Sequence, residues 1–107
     1  METNKLLSEI ASIFREEGIE KLILFGSYGW GEPNEDSDID LLAIKEISPE
    51  DVRESRIQIK KMLWEKLGSY NISFDVILDS EDRIKERIQM GDRFYEEIYT
   101  EGKVIYA

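Results

Sequence analysis

The stretch that decides the fold runs from Leu22 to Ile44 and reads LILFGSYGWGEPNEDSDIDLLAI. It begins with a short apolar run that ends in Gly26-Ser27 and continues through a loop rich in Gly, Pro, Asn and acidic residues. A second apolar run follows, with Asp38 and Asp40 at its start. Short apolar runs bounded by turn-forming residues are typical of buried strands. The stretch therefore predicts two strands, Lys21–Phe25 and Ile39–Ile44, joined by a polar loop.

Apolar periodicity on both sides of this stretch predicts helices. Over residues 3–17, apolar side chains recur at offsets of three and four, and Gly18 fits just past the end of such a helix. Ser48-Pro49 has the form of a helix start, with a Ser N-cap and Pro at the first helical position. We expect this second helix to end at Leu67, before Gly68.

The C-terminal part completes an α/β pattern. A third strand is predicted over Asn71–Leu78, with Asp75 in its middle. The other predicted elements are a helix from Ser80, a helical segment capped by Asp92 after Gly91, and a short edge strand at Val104–Tyr106. Together they predict one α/β (α+β) domain over residues 1–107, with a small mixed sheet of three to four strands flanked by helices.

The residue types exclude several kinds of site. The 107 residues contain no Cys and no His, which excludes disulfides, Cys/His zinc sites, Ser-His-Asp triads and cysteine nucleophiles. Catalysis must therefore use carboxylates, hydroxyls, Lys or Arg. Any metal must be a hard ion bound by oxygen, such as Mg²⁺.

The charge balance restricts the partners. With 24 acidic and 14 basic residues, the formal net charge is −10, which opposes direct binding to nucleic acid and requires a metal between the carboxylates and any nucleotide. No apolar run approaches the roughly 20 residues that span a bilayer. The N-terminal residues include acids where a secretory signal has basic residues. We therefore expect a cytoplasmic protein that binds neither nucleic acid nor membrane.

Asp38 and Asp40 form the first candidate feature. On a strand, side chains at positions i and i+2 point to the same face, so the two carboxylates lie side by side. Each makes ionisation of the other less favourable, and a divalent cation reverses that penalty, as in two-metal sites for phosphoryl transfer. The alternative is a solvated acidic strand end, with Ser37 as a turn former.

Asp75 is the second candidate feature. It lies inside the apolar run of the third predicted strand, where burial of an unpaired carboxylate is costly. A metal shared with Asp38 and Asp40, a role as a base, or a buried Arg or Lys would each compensate it. The alternative is an edge strand on which Asp75 faces water.

Gly26-Ser27 is the third candidate feature. A glycine after a buried strand lets a phosphate approach the backbone, and the Ser hydroxyl and nearby N–H groups can bind its oxygens. Alone, such a pair is most often a simple turn. Followed after ten residues by Asp-x-Asp, it is expected by chance in roughly one chain in a thousand of this length. The combination predicts a site for a triphosphate and a divalent metal.

This pattern resembles the nucleotidyltransferase superfamily that includes DNA polymerase beta. The matching form is Gly-Ser-x10-Asp-x-Asp, with an acid on a later strand, at Gly26, Ser27, Asp38, Asp40 and Asp75. Within the superfamily, the chain is most similar to the minimal nucleotidyltransferases, or MNT domains. The resemblance covers nearly the whole chain and implies the nucleotidyltransferase fold.

The resemblance also implies a role for each matching residue. The residues implied to be catalytic and to bind Mg²⁺, with two ions expected, are Asp38, Asp40 and Asp75. Those implied to bind the nucleotide, ATP, are Gly26, Ser27 and Ser37. Asp75 would also help to deprotonate a hydroxyl that attacks the α-phosphorus, with pyrophosphate leaving.

One pair of residues departs from the family pattern. Many relatives have an Ala-Arg pair where this chain has Gly29 and Trp30. A cation for the phosphates would then come from Arg53, Arg56 or a partner, and Trp30 becomes a candidate to stack on a base or a partner. The departure affects the expected rate and nucleotide choice rather than the metal site.

Polymerase and antibiotic-modifying relatives have an additional region that binds the acceptor. No such region is evident in this sequence, so the resemblance implies that another protein carries the acceptor. Similar MNT proteins act as antitoxins that transfer AMP from ATP to a tyrosine of a HEPN-domain ribonuclease toxin, which is the first hypothesis. An acidic chain also suits a basic partner. The alternatives are a non-catalytic antitoxin that acts by occlusion and a small-molecule nucleotidyltransferase that works as an oligomer.

The predicted partner surface consists of Trp30, Ile57 and Trp64. Ile57 and Trp64 are seven positions apart and lie off the apolar face of the second predicted helix. Tyr95 and Tyr99 are further candidates for this surface. For Trp64 and both tyrosines, the alternative is burial under the C-terminal segment.

Overall fold

The structure is a computed structural model that describes residues 3–29 and 38–107. Within these residues the helices are α1 (Thr3–Glu16), α2 (Pro49–Leu67), α3 (Glu81–Gln89) and α4 (Arg93–Glu101), and the strands are β1 (Lys21–Phe25), β2 (Ile39–Ile44), β3 (Phe74–Asp79) and β4 (Lys103–Tyr106). Short 3₁₀ turns occupy Gly26–Tyr28 and Gly68–Tyr70. No helix in the described part of the chain is both long and apolar enough to cross a membrane.

The described strands form one mixed sheet in the order β3-β2-β1-β4. β1 pairs antiparallel with both β2 and β4, whereas β2 and β3 are parallel and are connected through α2. A parallel pair needs such a crossover because a tight hairpin can join only antiparallel strands. The predicted α/β fold with a small mixed sheet is confirmed, and so are the predicted bounds of the first two strands.

Helices cover both faces of the sheet, which explains why β1 and β2 are apolar without alternation. α1 and α2 pack on the face that carries Leu22, Leu24 and Leu41. α3 and α4 pack on the opposite face, which carries Ile23 and Leu42. The two central strands are therefore fixed from both sides, and their ends form a rigid support for the loops that follow.

The helix ends agree with the sequence, including the end of α2 at Leu67, and only the caps of α2 differ from the expectation. Gly18, past the end of α1, has the left-handed conformation (φ 78°) expected of a C-terminal glycine. Ser48 precedes α2 as predicted, but its hydroxyl donates to Asp51 Oδ2 (2.9 Å) instead of accepting from a backbone amide. Gly68 keeps a helical conformation, and the left-handed residue is Asn71 (φ 57°).

The third strand begins later than predicted. The chain turns through the 3₁₀ segment Gly68–Tyr70 and the left-handed Asn71 before it becomes extended, so β3 starts at Phe74 rather than Asn71. Asp75 is consequently the second residue of the strand and not its middle. This places the carboxylate at the entry of β3.

The C-terminal elements follow the predicted order. The Ser80 hydroxyl accepts from the Arg83 amide (3.3 Å) at the start of α3, and the Asp92 carboxylate accepts from the amides of Phe94 and Tyr95 (3.0 and 3.3 Å) at the start of α4. These are N-caps that satisfy amides without an intrahelical partner. β4 then forms the predicted edge strand beside β1.

Truncation of Phe14 tests the core formed by α1 and the sheet. The Phe14 side chain is fully buried, so Phe14→Ala should lower the free energy of unfolding by about 3–5 kcal/mol. The matched control is Phe94→Ala, since Phe94 is 50% exposed and its truncation should cost about 1 kcal/mol or less. Equilibrium unfolding in urea measures both values, and equal losses would contradict the assigned core.

Candidate active site

The candidate carboxylates meet at one end of the sheet. Phe25 is paired with Asp40 across β1 and β2, and Asp40 is paired with Asp75 across β2 and β3. Residues paired directly across neighbouring strands project from the same face, and strands lie about 4.8 Å apart. Asp40 and Asp75 are therefore adjacent on one face, although they are distant in sequence. Asp38 immediately precedes β2 at the same end.

The electrostatics of this cluster show that the three carboxylates interact. Asp40 is partly buried, and burial raises the pKa of its carboxyl group. The negative charges of Asp75 and Asp38, and a side-chain hydrogen bond between Asp40 and Asp75, raise that pKa further. The cluster thus concentrates negative charge where the sheet ends.

The sequence left open whether Asp75 is buried or lies exposed on an edge strand. β3 is an edge strand, and Asp75 is exposed to solvent on it. The alternative, an edge strand with Asp75 facing water, is what the structure has. Exposure does not separate Asp75 from the other carboxylates, however, because the β2–β3 register places it directly beside Asp40.

Gly26 lies against the carboxylate cluster. Its backbone is left-handed (φ 68°), and a Cβ atom added there would collide with Oδ2 of Asp40. Glycine is therefore required both by the backbone conformation and by the close approach of the carboxylate. Ser27 follows in the same 3₁₀ turn and is exposed. The Asp40 carboxylate therefore occupies the space that a side chain at residue 26 would fill.

Gly29 closes this turn onto β1. Its amide donates to the Gly26 carbonyl (3.0 Å). A Cβ atom added at Gly29 would lie 2.6 Å from the Leu24 carbonyl oxygen, closer than real side chains approach a backbone. The backbone of the turn therefore lies closer to β1 at Gly29 than an Ala would permit. Trp30, Ser37 and the predicted loop at 31–36 lie outside the described residues.

The ligand set fits a hard divalent cation. Carboxylate oxygens are the ligands that Mg²⁺ prefers. Across residues 3–29 and 38–107, no three acidic side chains are already arranged as a metal-ligand group. Asp40 and Asp75 are hydrogen-bonded to each other, and Asp38 interacts through its charge. These residues could hold Mg²⁺ after a rotation of side chains.

A cleft opens beside Asp75, between α2 and the start of β3. This α2–β3 cleft has a volume of about 410 Å³ and is lined by Lys60, Leu63, Trp64, Ile72, Phe74 and Asp75, among others. Lys60 was not singled out from the sequence, because nothing in the pattern of α2 distinguishes it from the other exposed basic residues. Its place in the cleft follows from the packing of α2 on β3.

The two predicted arginines lie at the other end of α2. That end adjoins a groove of about 1150 Å³ lined by Lys45 and Glu54, remote from the carboxylates. Arg53 is roughly 16 Å along the helix axis from Trp64, at 1.5 Å per residue. The structure therefore does not bring Arg53 or Arg56 to the candidate site, and Lys60 lies closer to Asp75.

The predicted partner residues fall into two groups. Ile57 and Trp64 are exposed on α2, as predicted, and 78% of the Trp64 side chain is accessible. Tyr95 and Tyr99 are half-buried and pack against the cluster formed by α3, α4 and the sheet. For these two tyrosines the burial alternative is correct, and they do not form an open surface.

The chain has relatives that match this fold and site. Residues 8–107 match the family described as Polymerase beta, Nucleotidyltransferase. The chain therefore belongs to this family of nucleotidyltransferases, which confirms the resemblance inferred from the Gly-Ser and Asp-x-Asp motif. A protein of Methanocaldococcus jannaschii named "Putative protein adenylyltransferase MJ0604" is 28% identical over 109 residues, covering 99% of this chain and 100% of the relative.

Two solved structures share the fold. One is a crystal structure of a mutant of the toxin-antitoxin MntA-HpeT, with 16% identity and a TM-score of 0.58. The other is a crystal structure of a toxin-antitoxin with AMP-PNP, with 18% identity and a TM-score of 0.59. Each match covers 94% of this chain and 73% of the solved chain. At these identities the similarity establishes the nucleotidyltransferase-like fold.

Neutralisation of Asp40 tests whether repulsion between the carboxylates lowers the stability of the folded chain. Because its pKa is raised by folding, ionised Asp40 is less favourable in the folded chain than in the unfolded chain, and its contribution to stability falls as the pH rises. We expect Asp40→Asn to raise the melting temperature at neutral pH without metal. MgCl₂ should raise the melting temperature of the wild type but not of this variant. Glu65→Gln, which removes an exposed carboxylate elsewhere, is the control, and an equal response to MgCl₂ in both variants would refute the site.

Substitution of Gly26 tests the contact with Asp40. Gly18 and Gly26 are both left-handed, but a Cβ at Gly18 would meet no atom within 4 Å. Gly18→Ala should therefore cost about 1 kcal/mol of stability from backbone strain alone. Gly26→Ala should cost more and should also abolish the stabilisation by MgCl₂, as measured by thermal unfolding. Identical behaviour of the two variants would show that the approach of Gly26 to Asp40 has no role.

Proposed function

We propose that this chain is a protein adenylyltransferase that transfers AMP from Mg-ATP to a hydroxyl group of a partner protein. The observation that carries the proposal is the row of Asp40 and Asp75 across the sheet, with Gly26 closely opposed to Asp40. The name of the M. jannaschii relative supports protein adenylyl transfer as the reaction. The structure that contains AMP-PNP, an ATP analogue, supports ATP as the nucleotide.

In this proposal, different residues at the end of the sheet bind different parts of the substrate, Mg-ATP. Two Mg²⁺ ions bound by Asp38, Asp40 and Asp75 would neutralise the phosphates and stabilise the charge that develops during transfer. The turn after β1, with Gly26 and Ser27, would bind the β- and γ-phosphates through its backbone amides and the Ser27 hydroxyl. Ser37 is proposed as a further nucleotide contact.

The reaction is an in-line displacement at the α-phosphorus. The acceptor hydroxyl oxygen attacks the α-phosphorus of ATP, the new O–P bond forms, and the bond to the β-phosphate oxygen breaks. Pyrophosphate leaves, and the hydroxyl proton passes to the Asp75 carboxylate and then to water. Asp75 suits this role because it is exposed at the entry of an edge strand and therefore reaches both an incoming acceptor and the solvent.

We further propose that the partner is a HEPN-domain ribonuclease toxin, that the acceptor is a tyrosine, and that residues 1–107 act as one domain. Both solved structures of similar fold are toxin-antitoxin structures, one of them a mutant with two aspartates, two positions apart, changed to glutamate. Asp38 and Asp40 have the same spacing. A net charge of −10 complements a basic RNA-binding partner. Trp30, Ile57 and Trp64 are the proposed contacts to it.

A second candidate is an antitoxin that inhibits its partner by occlusion alone. The observation that favours it is Trp30, which stands where many similar sequences have Arg. Without that cation, stabilisation of the transferred phosphate would be weaker. The chain nevertheless has the row formed by Asp40 and Asp75 and the glycine that lies against Asp40. An antitoxin that acts by occlusion alone would require neither of these features.

The double substitution Asp38→Asn and Asp40→Asn separates the two candidates. The wild type, incubated with ATP, MgCl₂ and a purified HEPN-domain toxin as the proposed partner, should add adenylyl groups that intact-mass spectrometry detects. The double variant should lose transfer by about 100-fold or more, since several kcal/mol of charge stabilisation disappear. Glu65→Gln should retain full transfer. Complete neutralisation of the toxin by the double variant, with no transfer by the wild type, would instead establish occlusion.

A further inference from the structure

We propose that the exposed flank of α2 beside the α2–β3 cleft is a docking site for an acidic polypeptide segment that carries an apolar anchor side chain. The inference extends the proposed partner surface and does not depend on the transfer reaction. The cleft opens on the face of the sheet that α1 and α2 cover, since its walls Leu63 and Phe74 pack with that core. The side chains of Asp40 and Asp75 project from the opposite face, with Phe25. A segment bound in the cleft therefore lies outside the carboxylate cluster.

The flank is a single stripe of exposed side chains on α2, which we call the basic stripe. Its members lie at offsets of three, four, seven and eleven from the first, so they share one side of the helix. They are Arg53, Arg56, Ile57, Lys60 and Trp64. The stripe is about 16 Å long, at 1.5 Å per residue. The acids Glu54 and Glu65 lie roughly a quarter of a turn further round α2, so the cations face solvent as a group.

The cations of the basic stripe have no acidic partner within the part of the chain that the structure describes. The ion pairs among residues 3–29 and 38–107 involve other basic residues, namely Lys66, Arg83, Lys85 and Arg87. Like charges three or four positions apart on a helix repel one another. Carboxylates of another molecule would relieve this repulsion. In a chain of net charge −10, the stripe is thus a local reversal of sign that complements an acidic ligand.

The cleft supplies an apolar contact at one end of the stripe. Leu63, Ile72 and Phe74 give it apolar walls, and its volume of about 410 Å³ is ample for one aromatic or aliphatic side chain. Trp64 belongs both to the cleft and to the stripe, and 78% of its side chain is exposed. An accessible tryptophan beside a pocket is a frequent anchor of binding hot spots. Because β3 is an edge strand, another chain can reach the cleft from the side of the sheet.

A nucleic acid is the other polyanion with a group that stacks on an exposed tryptophan. Outside the basic stripe the chain is strongly acidic, so phosphates that extend beyond the stripe would be repelled. An extended polypeptide of about six residues spans the stripe and ends with it. The short length of the stripe and the sign of the surrounding charge therefore favour a polypeptide.

The first experiment measures the binding of a fluorescent peptide by anisotropy. The acidic probe has a central phenylalanine flanked by glutamates, and the matched basic probe has lysines in place of the glutamates. The wild type should bind the acidic probe saturably, with an affinity that falls as NaCl is raised, and should not bind the basic probe. Equal binding of the two probes, or no saturable binding of the acidic one, would overturn the proposal.

Substitutions then locate the site and separate its charges from its apolar end. Arg56→Glu combined with Lys60→Glu should weaken binding of the acidic probe about tenfold or more. The matched control is Lys5→Glu combined with Lys103→Glu, which changes the net charge equally at exposed positions on α1 and β4 and should alter binding by about twofold or less. Trp64→Ala should weaken binding about tenfold, and Trp64→Phe should restore most of the loss. Equal effects of the two charge reversals would show repulsion by net charge alone and refute the site.

Two further measurements identify the other occupants. If oligouridylate displaces the acidic probe more strongly than the unlabelled peptide does, the basic stripe binds RNA. If sedimentation velocity shows a concentration-dependent dimer that Trp64→Ala abolishes, the stripe binds a second copy of this chain. Either result would replace the proposed occupant and overturn the proposal. Because these measurements contain no ATP, failure of adenylyl transfer would leave the docking site standing, and failure of peptide binding would leave the transfer reaction standing.

Discussion

Mutual repulsion among three carboxylates is the constraint on which the rest of this structure depends. Asp38, Asp40 and Asp75 would separate in a flexible chain, and the sheet register holds them at one end of β2 and β3. That register is fixed because β1 and β2 are covered by helices on both faces, so neither strand can slip without moving its apolar residues out of the core. The stability of the core thus sustains an unfavourable charge cluster, which is common where a site must bind a cation.

The carboxylate cluster is closely packed on one side and open to solvent on the other. On the β1 side, Gly26 and Gly29 bring a turn so close to the strand and to Asp40 that Cβ atoms at these positions would collide with them. On the β3 side, the edge strand leaves Asp75 accessible to solvent. The carboxylates can therefore be approached from the β3 side. The fold achieves this within a small domain by using both the centre and the edge of one sheet.

Local patterns predicted the central strands and most helix ends, because their signals lie within a few neighbouring residues. Lys21–Phe25 and Ile39–Ile44 are apolar runs bounded by turn formers, and Asp92 caps its own helix. The start of β3 was placed too early because Ile72 extends the apolar pattern beyond the strand, whereas the left-handed Asn71 lies in the turn that precedes it. The exposure of Asp75 was left open because whether a strand is central or at an edge depends on pairing between distant segments. Lys60 could not be found, since only the packing of α2 on β3 brings it to the cleft.

The parallel pairing of β2 with β3 has a consequence for how the molecule forms. β1 and β2 are neighbours in sequence, whereas β3 reaches its place only after the chain has passed through the whole of α2. Closing such a crossover costs more chain entropy than closing a hairpin, and contacts of this kind slow folding. The carboxylate row consequently does not exist in a partly synthesised or partly folded chain that lacks β3. Assembly of the candidate site is coupled to completion of the topology, so a misfolded intermediate of this protein would carry the motif without the site.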